Sequence, residues 1–169
     1  AMNALIPSVL LRGCKSAPDL RQITQRLDDL YGAAVSPISR RAGDWQTTGL
    51  YLSLMDDRFA REGEALTEQA MDFLKELLFE YPEENGGFLP EFVEGEKINQ
   101  IYAIEAEFND KRAYCAQQLL KNMCREDSFG VPRMGEREDV EAITPQALLS
   151  HYRRLRRESQ IEILYVGSA

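Results

Sequence analysis

Few side chains in this sequence could do chemistry, and their spacing limits what that chemistry could be. His151 is the only histidine, so no two histidines can share a helix face to hold a metal. It stands among Tyr152, Arg153 and Arg154 and reads as a structural residue, exposed or half-buried. Cys14, Cys115 and Cys124 match neither a disulfide framework nor a CxxC metal site. Pairing one of them with His151 as a nucleophile would need an activated thiolate, for which the sequence carries no signal. Arg153, Arg154, Arg156 and Arg157 form the one basic cluster, which helical spacing spreads over a solvated face. Glu94, Glu96, Glu105, Glu107 and Asp110 could hold a hard cation such as calcium or magnesium, but carboxylates in a row on a helix read first as its wet side.

The elements that must position these residues follow from periodicity and punctuation. Residues 3–12 read as a short apolar helix ended by Gly13, with Pro7 tolerable only near the first turn. Ser16 reads as the N-cap of a second helix, with Asp19 returning a hydrogen bond and Pro18 in the first turn. Leu20, Ile23, Leu27 and Leu30 form its apolar stripe, and Gly32 stops it. Segments 33–40 and 45–55 flank the turn residues Ala42, Gly43 and Asp44 as a hairpin. Helical spacing returns over 64–81, followed by a loop over 82–90. One long helix is expected over 91–124, then a polar surface connection over 127–142. Thr144 and Pro145 are an N-cap and first-position pair that opens a helix to about residue 158. Residues 161–166 read as a buried strand stopped by Gly167. The order predicts an α+β domain, a small, mostly antiparallel sheet packed with helices, as one unit over residues 2–169.

Composition excludes several function classes. The 169 residues contain 28% charged side chains and carry a net charge of -8. Nucleic-acid binding leans on clustered excess positive charge, so no nucleic-acid partner is expected. No apolar run is long enough to span a membrane, and residues 2–11 do not make a signal peptide. With an odd number of cysteines, reduced thiols and a cytoplasmic location are expected.

Three segments in order resemble the insulinase (pitrilysin-like) zinc metallopeptidases, and more closely their noncatalytic bacterial members. They are NALIPSVLLRGCKSAPDLRQITQRLDDLYGAAVS at 3–36, FVEGEKINQIYAIEAEFNDKRAYCAQQLL at 92–120, and ITPQALLSHYRRLRRESQIEILYVG at 143–167. The first is similar to that family's first catalytic helix and the corner after it, the second to its distal ligand helix, the third to its closing helix and strand. The resemblance implies a metallopeptidase-like (LuxS/insulinase-like) fold, truncated at its N-terminus because the strands expected before the first helix are missing ahead of Met2. Active members carry His-x-x-Glu-His on the first helix and a further Glu downstream, two histidines and a carboxylate for zinc with a Glu to activate water. Aligned on Gly13, Ala4 and Ser8 stand at the histidine positions and Pro7 at the position of the base. Glu96 holds an acidic position of the distal helix and Ala103 falls where the third ligand belongs, Glu105 and Glu107 being the alternatives one turn away. The resemblance therefore implies no catalytic residue, no metal and no cofactor.

The resemblance implies a noncatalytic peptidase homologue, one half of a two-domain or multi-chain assembly that holds extended peptides or stabilises an active insulinase-family partner. Two other readings stay open: a zinc metallopeptidase whose metal site another domain or chain supplies, and a stand-alone peptide-binding module. Self-association through a sheet edge is also expected, because strands without neighbours leave backbone groups unpaired beside Leu50, Leu52 and Leu54.

Overall fold

The computed structural model describes residues 1–168; Ala169, the last residue of the expected domain, lies outside them. Helix α1, Met2–Leu10, buries Leu5, Ile6, Val9 and Leu10. Pro7 sits inside this helix rather than in its first turn, so the Asn3 carbonyl loses its helical donor. Thr48 Oγ1 takes that place, donating to Asn3 O at 2.6 Å. Helix α2, Leu20–Asp29, starts later than expected. Its N-cap is Asp19, which accepts from the Gln22 N–H at 2.8 Å, while the Ser16 hydroxyl turns away to Glu76. Tyr31 and Gly32 then take positive φ, and the Gly32 and Ala33 amides return to Leu27 O, a helix stop of the kind glycine favours.

Strands β1, Ala34–Ala42, and β2, Trp45–Ser53, pair antiparallel around the two-residue turn Gly43-Asp44. Gly43 has φ +60°, the left-handed conformation that the first position of a type II′ hairpin turn requires. Two short 3₁₀ turns, Asp57–Phe59 and Arg61–Gly63, lead into α3, Leu66–Phe79, which buries Leu66, Ala70, Phe73 and Leu77. The expected loop over 82–90 contains a second small hairpin, β3, Glu83–Glu84, with β4, Gly87–Phe88. Its turn residues Asn85 and Gly86 both have positive φ, the signature of type I′.

The single long helix expected over 91–124 is two. Helix α4 covers Pro90–Ala106, a 3₁₀ turn covers Glu107–Asn109, and α5 covers Lys111–Met123. Asp110 makes the break: its carboxylate accepts from the Arg112 and Ala113 amides, both at 3.1 Å, as the N-cap of α5. The polar connection beyond contains a 3₁₀ turn, Ser128–Gly130, and the short helix α6, Arg137–Glu141, closed by a Glu136/Asp139 capping box. Helix α7, Pro145–Glu158, begins where Thr144 accepts from the Ala147 N–H, as its sequence requires. The strand expected over 161–166 is not formed. Those residues carry no regular structure and are exposed, Leu164 at 89% and Val166 at 98%. A strand needs a neighbour to receive its backbone groups, and among the described residues no backbone–backbone hydrogen bond involves 160–168.

Seven α-helices and two antiparallel hairpins therefore make an α+β fold among the described residues. Its apolar interior divides into two clusters. Leu5, Ile6 and Val9 of α1 meet Phe88, Val93, Leu148 and Leu149 in one. Ile23, Leu30, Leu66, Phe73 and Leu77 form the other, covered by Val35, Leu50 and Leu52 from the inner face of the β1–β2 hairpin. No residue of α5 is buried. No helix is long and apolar enough to cross a membrane among the described residues.

Candidate functional site

Ala4, Pro7 and Ser8 lie together on α1, Pro7 buried and the other two half-buried. Spaced at i and i+4, Ala4 and Ser8 share one side of the helix. Helix α4 packs across α1. At one end of the contact Arg12 meets Glu96 at 3.3 Å; at the other, Gln100 Nε2 donates to Ala1 O at 3.3 Å and to Met134 O at 2.6 Å. Ala103 sits on α4 one turn beyond Gln100 and is exposed. The three α1 positions and Ala103 are thus carried by two helices in direct contact.

The acidic row does not gather into a cation cage. Glu96 pairs with Arg12, Glu94 with Lys97 at 3.1 Å, Glu105 with Arg137, and Asp110 caps α5. Glu107 lies in the 3₁₀ turn after α4. No group of three or more His, Cys, Asp or Glu is placed to hold a metal ion among the described residues. Lys97, like Gln100, is a buried polar residue of this helix. Its ammonium donates to the Glu141 and Ile143 carbonyls, both at 3.0 Å, closing the end of α6 and the approach to α7. Three donors meet three acceptors, the condition on which a buried ammonium is tolerated.

His151 has partners that the sequence did not reveal. Its Nε2 lies 2.6 Å from Asn3 Oδ1, and Arg154 Nη2 lies 3.0 Å from its Nδ1. A guanidinium can only donate, so Nδ1 is the acceptor and Nε2–H donates to Asn3. Burial lowers the imidazole pKa, helped by the charges of Arg154 and the N-terminus. With both ring nitrogens engaged the side chain joins α7 to α1, and no lone pair is left for a proton transfer. Asn3 was missed as a functional position, although its place four residues before Pro7 marks the carbonyl that would need outside help. The arginines of α7 are also less idle than a solvated face: Arg153 grips the Glu83 carboxylate at 2.7 and 2.8 Å, and Arg156 stacks 4.5 Å from the Phe79 ring centre. Cys14 is buried with its sulfur 3.8 Å from Glu76 Oε2, Cys115 is exposed and Cys124 is half-buried, all three as free thiols.

The remaining feature with binding capacity is the rim of the β1–β2 hairpin. Ala42 and Trp45 flank a two-residue turn and form its closing hydrogen-bonded pair, so Val35, Pro37, Ser39 and Arg41 turn their backbone groups outward on one edge. Gln46, Thr48, Leu50 and Leu52 do so on the other. Pro37 falls where no N–H is needed, and the outward Ser39 carbonyl accepts from Arg133 Nη1 at 3.0 Å. A shallow depression of about 270 Å³ runs along this β1 edge, lined by Ser36, Ile38, Arg40, Tyr51 and Arg133 among others.

No family model matches the chain. It is 31% identical over 165 residues, 98% of its length, to a protein of Bacillus subtilis (strain 168) named "Probable inactive metalloprotease YmfF". It spans 39% of the length of that relative. Its fold is that of part of a solved structure described as a conserved protein from Enterococcus faecalis V583. That likeness has a TM-score of 0.82 at 23% identity and covers 91% of this chain and 36% of the other. The chain is thus similar, over nearly its whole length, to part of a protein named a probable inactive metalloprotease.

Proposed function

We propose that this chain is a noncatalytic insulinase-like metallopeptidase domain, acting in the cytoplasm as a structural or peptide-holding partner of an active member of that family. The observation that carries the reading is its 31% identity, across 98% of its length, to a protein named a probable inactive metalloprotease. Helix α1 supports it physically. Zinc sites are built from thiolate, imidazole and carboxylate, and the three positions that the resemblance assigns to ligands and base on α1 hold Ala4, Pro7 and Ser8. An inactive domain retains a use if it presents backbone groups to an extended peptide, which strand addition accomplishes without a metal. The hairpin edges have such groups.

The test combines elemental analysis, a peptidase assay and mixing with a catalytic insulinase-family peptidase from the same source. The expected results are no stoichiometric zinc, no hydrolysis by the chain alone, and a stable complex on gel filtration. One tightly held zinc per chain, with hydrolysis lost on chelation, would overturn the inactive reading. Failure to associate with the peptidase would overturn the partner role.

A further inference from the structure

The β1 edge is closed over by the chain's own segment 128–133. Arg41 and Gln46, paired directly across the hairpin, both reach to this segment. The Arg41 guanidinium donates to the carbonyls of Ser128, Phe129 and Val131 and stacks 4.9 Å from the Phe129 ring centre. Gln46 Nε2 donates to the Arg133 carbonyl at 2.9 Å. Arg133 Nη1 returns the contact, donating to the outward Ser39 carbonyl at 3.0 Å. Both partners in this closure are internal segments of the chain.

Side chains hold this segment down. Its own backbone bonds are local turns, Gly130 N–H to Asp127 O and Val131 N–H to Ser128 O, and none reaches the hairpin among the described residues. None of its residues belongs to either apolar cluster. A segment fastened by side-chain hydrogen bonds outside the packed interior opens at lower free energy than the body beneath it. Its far end stays pinned, because the Met134 carbonyl accepts from the buried Gln100 Nε2 at 2.6 Å. When the segment lifts, the Ser39 carbonyl is released to receive a peptide N–H. The Arg133 guanidinium is then left near Arg40 without its acceptor, and both arginines line the depression along this edge.

We infer that segment 128–133 is a lid over the β1 edge, displaced by an extended acidic peptide that adds to β1 as a strand, donating to the Ser39 carbonyl and offering carboxylates to Arg40 and Arg133. The charge pattern selects the ligand. Residues 34–53 carry Arg40, Arg41 and Asp44, and residues 128–133 carry Arg133 alone, a net positive rim on a chain of net charge -8. A carboxylate gives a guanidinium a charge-assisted, bidentate partner where a carbonyl gave a neutral one. The acidic remainder of the surface steers such a peptide to this rim. As a control on peptide binding, the lid rests on the peptide-holding role proposed above.

The test titrates the full chain with a capped peptide of alternating threonine and glutamate, and with its glutamine counterpart, by calorimetry. The glutamate peptide should bind about tenfold more tightly than the glutamine one, and Arg133→Gln should abolish the difference. A lid that is mostly closed lowers the apparent affinity by the fraction open. Arg41→Ala and Phe129→Ala, each of which unfastens the lid, should therefore both bind the glutamate peptide about tenfold more tightly than the natural chain. In the natural chain, peptide addition should speed hydrogen exchange over 128–133 and slow it at the Ser39 amide, a measurement that needs no variant to fold. Equal affinity of the natural chain and both release variants, with exchange over 128–133 unchanged, would overturn the lid and leave peptide holding in place. Equal binding of the two peptides by the natural chain would overturn the acidic ligand class. Failure of the natural chain and of every variant to bind either peptide would overturn the lid together with the peptide-holding role.

Discussion

The Thr48 hydroxyl donates to the Asn3 carbonyl at 2.6 Å, at the one point in α1 where Pro7 has removed the helix's own donor. Strand and helix are joined by a bond that exists because of a proline four residues away. Thr48→Val is expected to lose about 1 kcal/mol, an ordinary value for one partly buried hydrogen bond. In a Pro7→Ala background, where residue 7 regains its N–H, the same change should cost close to nothing. Urea denaturation of the four proteins measures the coupling, and equal costs in both backgrounds would refute the dependence.

Lys97 presents a different balance, because its side chain is buried together with one of its acceptors, the Ile143 carbonyl. Lys97→Met should cost about 1–3 kcal/mol, since it leaves the buried Ile143 carbonyl without its donor. Lys121→Met, which removes only the surface pair with Glu136, should stay within about 0.5 kcal/mol. Comparable losses at the two lysines in thermal or chemical denaturation would contradict the assignment.

The depressed pKa of His151 gives stability a pH dependence with a definite sign. Burial, Arg154 and the N-terminal charge hold the folded imidazole below its ordinary value of 6.5, so the unfolded chain binds the proton more readily. The contribution is fully present above the unfolded value and is lost as pH falls through it toward the lower folded one. Protonation at Nδ1 also removes the acceptor for Arg154. The melting temperature should fall between pH 7.5 and 5 more steeply for the natural chain than for His151→Gln; parallel profiles would remove His151 from the account.

Gly13 is required by close approach. A Cβ there would stand 2.6 Å from Pro18 O and 3.1 Å from the Phe92 ring, and Gly13→Ala is expected to cost about 2 kcal/mol. Gly49 has nothing within 4 Å of its added Cβ, so Gly49→Ala should be neutral or slightly stabilising. Chemical denaturation separates the two.

What could be read from the sequence follows how local each signal is. Thr144-Pro145 caps α7 as expected, and the Gly43-Asp44 turn sets the hairpin, because both depend on neighbouring residues. Asp110 carried an equally local cap signal that the apolar stripe from Ile101 to Met123 obscured, and Asn85-Gly86 was an unused hairpin signal. Residues 161–166 have the composition of a strand, but composition cannot supply the neighbour that makes one. At the candidate site, the place of Ala4, Pro7 and Ser8 on one helix was legible. The bonds of His151 and Thr48 to Asn3 were not, since they join positions 148 and 45 residues apart.

Helix α5 contributes no residue to either apolar cluster, so it can open while both remain packed. Amide hydrogens of residues 111–123 should then exchange through a local fluctuation that exposes little surface and is nearly insensitive to denaturant, while those of α1 and α3 wait for global unfolding. Once the exposed segment 160–168 is trimmed, a protease should find its first cleavage within the helical body there, and a chain nicked within α5 should hold together as two fragments until denatured.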